Sequence, residues 1–440
     1  MHTATARPQR FGPDVSVSEF VLSACVHCGF CNATCPTYQL TGNELEGPRG
    51  RIYLIKSVLE DQAELAAPVV SHLDHCLSCL ACETTCPSGV RYSHLIDAAR
   101  HWIEQHHRRP LGERLQRKLL ARLLPYPGRF RLALRLGQLG RPLARWLPGR
   151  LGAMARLTPA RLPPRSRLDR PGVHPAQGAR RMRVALLTGC AQRVVGPAIN
   201  DATIRLLTRL GAEVVLPEGV GCCGALVFHM GNHADSLGHM RANIERWDAE
   251  RAAGGLDAIV INTSGCGSVV RDYGHIFRDD PAWADKAARV AALARDVSEV
   301  VAGLGLPQVA APPAPGLPVA YHDACSLQHG QRVRDEPRRL LRAAGFAVVD
   351  IPDGHLCCGS AGTYNMLQPH MAEPLGRRKA EAIAGLGARA VAAGNIGCLE
   401  QIARFGDLPT VHTVELLDWA TGGPRPAGLP AGHAVGAREG

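Results

Sequence analysis

The cysteines constrain this chain more than any other residue type. Cys25, Cys28, Cys31 and Cys35 are separated by two, two and three residues and followed by Pro36; Cys76, Cys79, Cys82 and Cys86 repeat that spacing and are followed by Pro87. The run C-x2-C-x2-C-x3-C-P is the bacterial pattern for [4Fe–4S] ligation. A cubane needs four thiolates arranged tetrahedrally about its irons. Three close cysteines wrap one face, so the fourth must come from elsewhere, and in two-cluster proteins the last Cys of each run serves the other cluster. The expected sets are therefore Cys25, Cys28, Cys31 and Cys86 for one [4Fe–4S] cluster, and Cys76, Cys79, Cys82 and Cys35 for a second. Zinc also uses Cys-x2-Cys pairs, but the triple-plus-one spacing with proline, seen twice, argues against it. His27 and His75 adjoin these cysteines outside the repeating pattern and read as solvent-exposed neighbours rather than ligands.

Sixteen cysteines in 440 residues need a reason. The segment Met1 to Pro13 is polar with no apolar h-region, and no run of 18 apolar residues occurs, so a cytoplasmic chain without signal peptide or spanning helix is expected. Disulfides are disfavoured in a reducing compartment, which leaves metal or cluster ligation. Aromatic residues make up only 5% of the chain, too few for a base-stacking surface, and nucleic-acid binding is not expected.

The other eight cysteines belong to an internal duplication. Copy one has Cys190, then 31 residues, then Cys222-Cys223-Gly224, then Cys266; copy two has Cys325, again 31 residues, then Cys357-Cys358-Gly359, then Cys398. Apolar runs precede them: 184–187 before Cys190, 258–262 before Cys266, 319–321 before Cys325, 388–393 before Cys398. Helical patterns at 200–210 and 336–344 lead into further apolar runs at 212–216 and 346–351. This is βαβ order, predicting a parallel sheet in each copy with its ligands at the carboxyl ends of the strands. The stretch from Gly219 to Gly224 matches G-x-G-x-x-G, but the second copy keeps Cys-Cys-Gly and loses the glycine pattern, so dinucleotide binding is not expected. There is no Walker A or G-x-S-x-G element, no site for a flavin on this chain, and no catalytic residue.

Between the two cysteine-rich regions lies a basic stretch. Residues 107–183 hold 20 Lys and Arg against Glu113 and Asp169, a net of +18 in a chain of +11, so the remainder sums to −7. Its prolines break it into short helices, and Leu115, Leu119, Leu120, Leu123 and Leu124 fit one apolar helical face ringed by Arg114, Arg117, Lys118 and Arg122. Two readings stand: contact with an anionic membrane surface or an acidic partner, or a solvated inter-domain connection.

The 40 residues between Cys35 and Cys76, helical over 50–60, resemble the α-helical ferredoxin type of succinate dehydrogenase and heterodisulfide reductase subunits. The duplicated copies resemble the cysteine-rich CCG domain of heterodisulfide reductase B-type subunits. The full motif of that domain ends in Cys-x-x-Cys and can hold a non-cubane [4Fe–4S] cluster; here Val269 and Gln401 stand at the last position. Either Cys190, Cys222, Cys223 and Cys266, and likewise Cys325, Cys357, Cys358 and Cys398, hold further clusters, or the copies are structural or zinc-binding remnants. The whole order, with Glu44–Lys56 (ELEGPRGRIYLIK) and Val26–Thr37 (VHCGFCNATCPT), resembles the iron–sulfur subunit family of glycolate oxidase (glycolate dehydrogenase) over roughly residues 15–420.

The resemblance implies a multidomain chain: an α-helical ferredoxin domain at 15–106, the basic linker at 107–183, and α/β CCG domains at 184–310 and 316–420. It further implies flavoprotein partner subunits that oxidise glycolate to glyoxylate, with electrons relayed through this chain to a membrane quinone-type acceptor. This would be a 2-hydroxyacid dehydrogenase complex in which this subunit only transfers electrons, peripheral on the inner face of the membrane. The alternatives are the same role beside a D-lactate or glycerol-3-phosphate dehydrogenase, or a disulfide-reducing enzyme of the heterodisulfide reductase kind.

Overall fold

In a computed structural model, residues 14–61, 64–146, 152, 154, 155, 157–307 and 313–429 are described. The N-terminal segment 1–13, part of the basic stretch and the expected domain boundary at 310 lie outside them. The chain divides into two compact units. One comprises residues 1–159, 224–240 and 355–375, and the other 160–223, 241–354 and 376–440.

The first unit is helical. Val15–Ala24 (α1), Pro48–Leu59 (α4), Ala67–Asp74 (α5) and Tyr92–His106 (α7) bury one apolar stripe each. Leu22, Ile52, Ile55, Leu59, Leu73, Leu95, Ile96 and Ile103 form their shared core, with Cys25, Cys76 and Cys82 built into it. Short helices Phe30–Ala33 (α2), Pro36–Thr41 (α3) and Ala81–Thr85 (α6) carry or follow the cysteine runs. Pro36 opens α3 at its first position, where a missing N–H costs nothing. Gly50 is required by contact: a Cβ there would collide with the Glu44 carbonyl, so α4 can lie against the turn Glu44–Glu46 only with glycine at that point.

The basic stretch contributes Leu111–Leu123 (α8) and Pro127–Gly140 (α9) to this unit. Leu120 and Leu124 pack with Val227, Met230 and Leu367. Residues 224–240, which start at the glycine of the first Cys-Cys-Gly, and 355–375, which contain the second, thus join the helical unit. His101 meets the Gly231 carbonyl at 3.0 Å, and the Tyr364 hydroxyl donates to the His75 carbonyl at 2.9 Å.

The second unit contains two sheets. In the first, Met182–Leu187 (β2), Ala212–Leu216 (β3), Ala258–Ile261 (β4) and Ala294–Asp296 (β5) run parallel in the order β3-β2-β4-β5. A short strand Gly172–His174 (β1) adds antiparallel to β3 and makes this sheet mixed, where an all-parallel one was expected. The second sheet is parallel throughout: Pro318–His322 (β6), Ala347–Asp350 (β7), Ala390–Ala393 (β8) and Thr410–His412 (β9), in the order β7-β6-β8-β9. Strands β2, β4 and β8 are near-continuous runs of Val, Ile, Leu and Ala because helices cover both faces of such sheets.

Candidate iron–sulfur sites

The two cysteine runs take the same backbone path. His27 and Gly29 flank Cys28 with φ of +55° and +84°; Ser78 and Leu80 flank Cys79 with φ of +48° and +64°. Left-handed conformation at non-glycine residues is costly and persists where the surroundings demand it. In each run the first three thiols line one hollow.

Two hollows result. The first, about 430 Å³ including space open to solvent, is lined by Cys25, Cys28, Cys31, Cys86 and Cys82. The second, about 380 Å³, is lined by Cys35, Cys76, Cys79 and Cys82. Each meets three thiols of one run and the last thiol of the other. Cys82 and Tyr92 line both, so the two hollows share a wall. Every one of these cysteines is unbridged.

The donor chemistry fits iron–sulfur groups. Burial, then repulsion from Cys79 and Cys76, pushes the Cys82 thiol well above its ordinary range. Burial, with Cys25 and Cys35 nearby, pushes Cys31 up to about 11. Such crowded thiols ionise readily only beside a cationic centre. Two buried polar atoms among the lining residues, His27 Nε2 and Tyr92 Oη, lack any hydrogen-bond partner among the described residues. Each is a potential donor left for a group inside the hollows.

The walls are charged in an ordered way. Arg49 lines the first hollow beneath Gly29 and pairs with Glu44, which also accepts from Asn32 at 3.0 Å. Arg51 is buried beside the second hollow. It donates to Glu46 at 2.8 Å, to Thr37 at 3.1 Å and to the His72 carbonyl at 2.6 Å, and lies 3.9 Å from Cys35 Sγ. His72 and His75 both contact Glu46 Oε1, at 2.6 and 2.8 Å. Burial would raise Glu46, but His75, Arg51 and His72 outweigh it and hold the carboxyl down at about 2. His75 is therefore not the solvent-exposed neighbour expected: its side chain is 14% exposed and bonded. His27 is likewise half-buried, at the wall of the first hollow. Residue-type reasoning passed over Arg49, Arg51 and Glu46, although the string Gly-Pro-Arg-Gly-Arg inside a cysteine-flanked insert was a usable signal. Tyr92 and Tyr364 had none.

In the second unit, the first duplicated copy brings its four cysteines together. Cys190 follows β2, Cys222 and Cys223 follow β3, and Cys266 follows β4, all at the carboxyl ends of parallel strands. A hydrogen bond with Cys222, then burial, raises Cys190 well above its ordinary range. Cys223, drawn down by its bond with Cys222, is carried up in net by Cys266 and burial. Asn243 donates to the Cys222 carbonyl at 2.9 Å and Tyr273 to that of Cys223 at 2.7 Å. A buried amide set, Gln192, Asn200 and Asn262, ties the loops after β2 and β4 together. Val269, where the CCG motif would end in cysteine, is buried. In the second copy, Cys325 follows β6 and Cys398 follows β8, whereas Cys357 and Cys358 fall in the segment assigned to the helical unit.

Residues 21–90 match the 4Fe-4S dicluster domain, and residues 184–271 and 319–403 each match the cysteine-rich CCG domain. The chain is 40% identical to the glycolate oxidase iron–sulfur subunit of Escherichia coli K12, over 96% of this chain and 99% of that protein. It is 33% identical to a probable glycolate oxidase iron–sulfur subunit of Bacillus subtilis, over 92% and 95%. Lactate utilization protein A of Bacillus subtilis is 31% identical over 54% of this chain and 99% of that protein. A helical dicluster domain followed by two CCG regions, matched nearly end to end, places this chain in the glycolate oxidase iron–sulfur subunit family.

Proposed function

We propose that this chain is the electron-transfer subunit of a flavin-dependent glycolate dehydrogenase complex. In this reading it takes electrons released when flavoprotein partners oxidise glycolate to glyoxylate and passes them to a membrane quinone-type acceptor. The observation that carries the reading is the pair of thiol-lined hollows sharing Cys82 and Tyr92. Cys25, Cys28, Cys31 and Cys86 would hold one [4Fe–4S] cluster, and Cys35, Cys76, Cys79 and Cys82 the other. Bound there, such groups supply one-electron redox steps at a potential set by hydrogen bonding, charge and solvent exposure.

The chain's own residues set those conditions. Tyr92 and His27 offer donors, and Arg51 brings positive charge beside Cys35. The aliphatic core of α1, α4, α5 and α7 packs around Cys25, Cys76 and Cys82. In this reading the substrate chemistry belongs to the flavoprotein partners, whose flavin takes the hydride. The quartet Cys190, Cys222, Cys223 and Cys266 is proposed as a further metal site.

The test is anaerobic. Glycolate is added to the chain purified with whatever binds it, and the reduced centres are read by electron paramagnetic resonance. Reduction by glycolate, with flavin present in the complex, supports the proposal; reduction by dithionite alone overturns the substrate. A second reading, D-lactate as the donor, is favoured by the likeness to lactate utilization protein A and is tested by the same addition. Iron beyond about eight per chain, the content of two cubanes, supports an iron-holding site in the first copy, and a value of about eight removes it.

A further inference from the structure

Two consecutive helices of the basic stretch turn leucines outward. On α8, Leu111, Leu115 and Leu119 are 80%, 69% and 45% exposed; on α9, Leu132, Leu136 and Leu139 are 59%, 61% and 79% exposed. At 3.6 residues per turn each trio occupies one helical face. The opposite face of α8 is already engaged. Leu120 and Leu124 pack with Val227, Met230 and Leu367, and Arg117 pairs with Asp74 and Glu113. The outward leucines are therefore a second stripe, not the stripe that docks α8 onto the helical unit.

The exposed charges around this stripe have one sign. Arg114, Lys118 and Arg122 on α8, and Arg129 and Arg135 on α9, are all exposed. The acid within the two helices, Glu113, is drawn inward by Arg109 and Arg117. Leucine is under-represented among the residues that carry protein-docking energy, which are mostly aromatic or Arg anchors in closed pockets. The face also lacks the aromatic platform that single-stranded nucleic acid uses. A bilayer interface satisfies both halves: apolar side chains enter the acyl boundary while guanidinium and ammonium groups reach back to lipid phosphates. With 13 and 14 residues, α8 and α9 are about 20 Å long, short of the roughly 30 Å hydrocarbon core. Among the described residues no helix is long and apolar enough to cross a membrane. The geometry fits helices that lie in the plane of the surface.

We propose that the outward face of α8 and α9 is a seat for an anionic lipid bilayer. The proposal deepens the reading of a membrane-bound acceptor, but it needs neither glycolate nor a flavoprotein. The test uses the full, cluster-loaded chain under anaerobic conditions and co-sedimentation with vesicles of equal parts phosphatidylcholine and phosphatidylglycerol. Binding is expected, with at least about a tenfold loss on pure phosphatidylcholine or at high salt. The variant Leu115→Ser/Leu119→Ser/Leu132→Ser/Leu136→Ser is expected to lose at least about tenfold in vesicle affinity, with iron content and thermal midpoint unchanged. Gln substitution of Arg114, Lys118 and Arg122 is expected to lower affinity for the anionic vesicles only.

Failure of the native chain to sediment with the mixed vesicles overturns the proposal, as does equal binding by the leucine variant. Protection of α8 and α9 from hydrogen exchange by a partner subunit, without vesicle binding, would assign the face to protein instead. A failed glycolate reduction leaves all these outcomes readable, so the two proposals fall separately.

Discussion

Tyr92 is fully buried, lines both hollows and has no partner for its hydroxyl among the described residues. Removing a donor to a cluster sulfur favours the oxidised state, so Tyr92→Phe is expected to lower a cluster potential while keeping the iron. A hydrogen bond of about 1 kcal/mol, at about 59 mV per tenfold for one electron, sets a shift of some tens of millivolts. A redox titration followed by paramagnetic resonance reads it, and an unchanged potential would show that the hydroxyl points elsewhere. Arg51 makes a different case. Its pair with Glu46 is buried on both sides, and Arg51→Met would leave that carboxylate with only His72 and His75. Breaking such a pair costs about 3–5 kcal/mol, seen as a lower denaturation midpoint. The Glu46 carboxyl, held at about 2 against an ordinary 4.5, contributes stability that is full above about pH 4.5 and lost as pH falls toward 2. The Glu46→Gln variant should lack that part of the acid-induced decline. The thiols were legible because ligation imposes a spacing on the chain. Arg51 at least sits in the Gly-Pro-Arg-Gly-Arg string, whereas Tyr92 and Tyr364 act as single residues brought in by tertiary packing, and no local pattern announces them.

The loops between the first and third cysteines of each run are the elements in which strain and function meet. Leu80 tolerates the left-handed conformation where the first run has Gly29, but the two positions are not equivalent in space. A Cβ at Gly29 would stand 2.7 Å from Arg49 Nη1. Gly29→Ala therefore adds a displaced Arg49 to a backbone cost of about 1–2 kcal/mol. The expected result is a lower thermal midpoint and weaker retention of iron in the first hollow, which Gly29 and Arg49 line; an unchanged melt would mean that Arg49 moves aside freely. The exchange of the last thiols links the runs across the hollows. If Cys76, Cys79 and Cys82 hold a centre as proposed, Cys35→Ser is expected to damage it more than the one proposed beside Cys31, which selective loss of one resonance signal would show. Helices and most strands follow from apolar periodicity, as in α4 and β2. Strand β1 did not, because Gly172, Val173 and His174 are three residues in a glycine- and proline-rich stretch, and they become a strand only by pairing with β3.

On the scale of the molecule, the two hollows differ in their access to solvent. Cys28 is exposed and Cys31 and Cys86 are half-buried, whereas Cys35, Cys76, Cys79 and Cys82 are all buried. Around Cys28 the surface is apolar as well: Val26 is 65% exposed, and Phe30 and Tyr53 are exposed beside it in sequence or one helical turn from Arg49. Thiolate exposure governs oxidation as well as electron exchange. Brief, limited exposure to air should therefore remove iron from the outer set first. An intermediate retaining about half of the eight cubane irons should accumulate with the inner centre's resonance intact. Simultaneous loss of both signals would mean that the wall formed by Cys82 and Tyr92 does not insulate the inner hollow. Ordered loss would make the outer set the point of electron exchange with a redox partner. A ligand exposed enough to be oxidised first is also the one nearest to any protein that docks there.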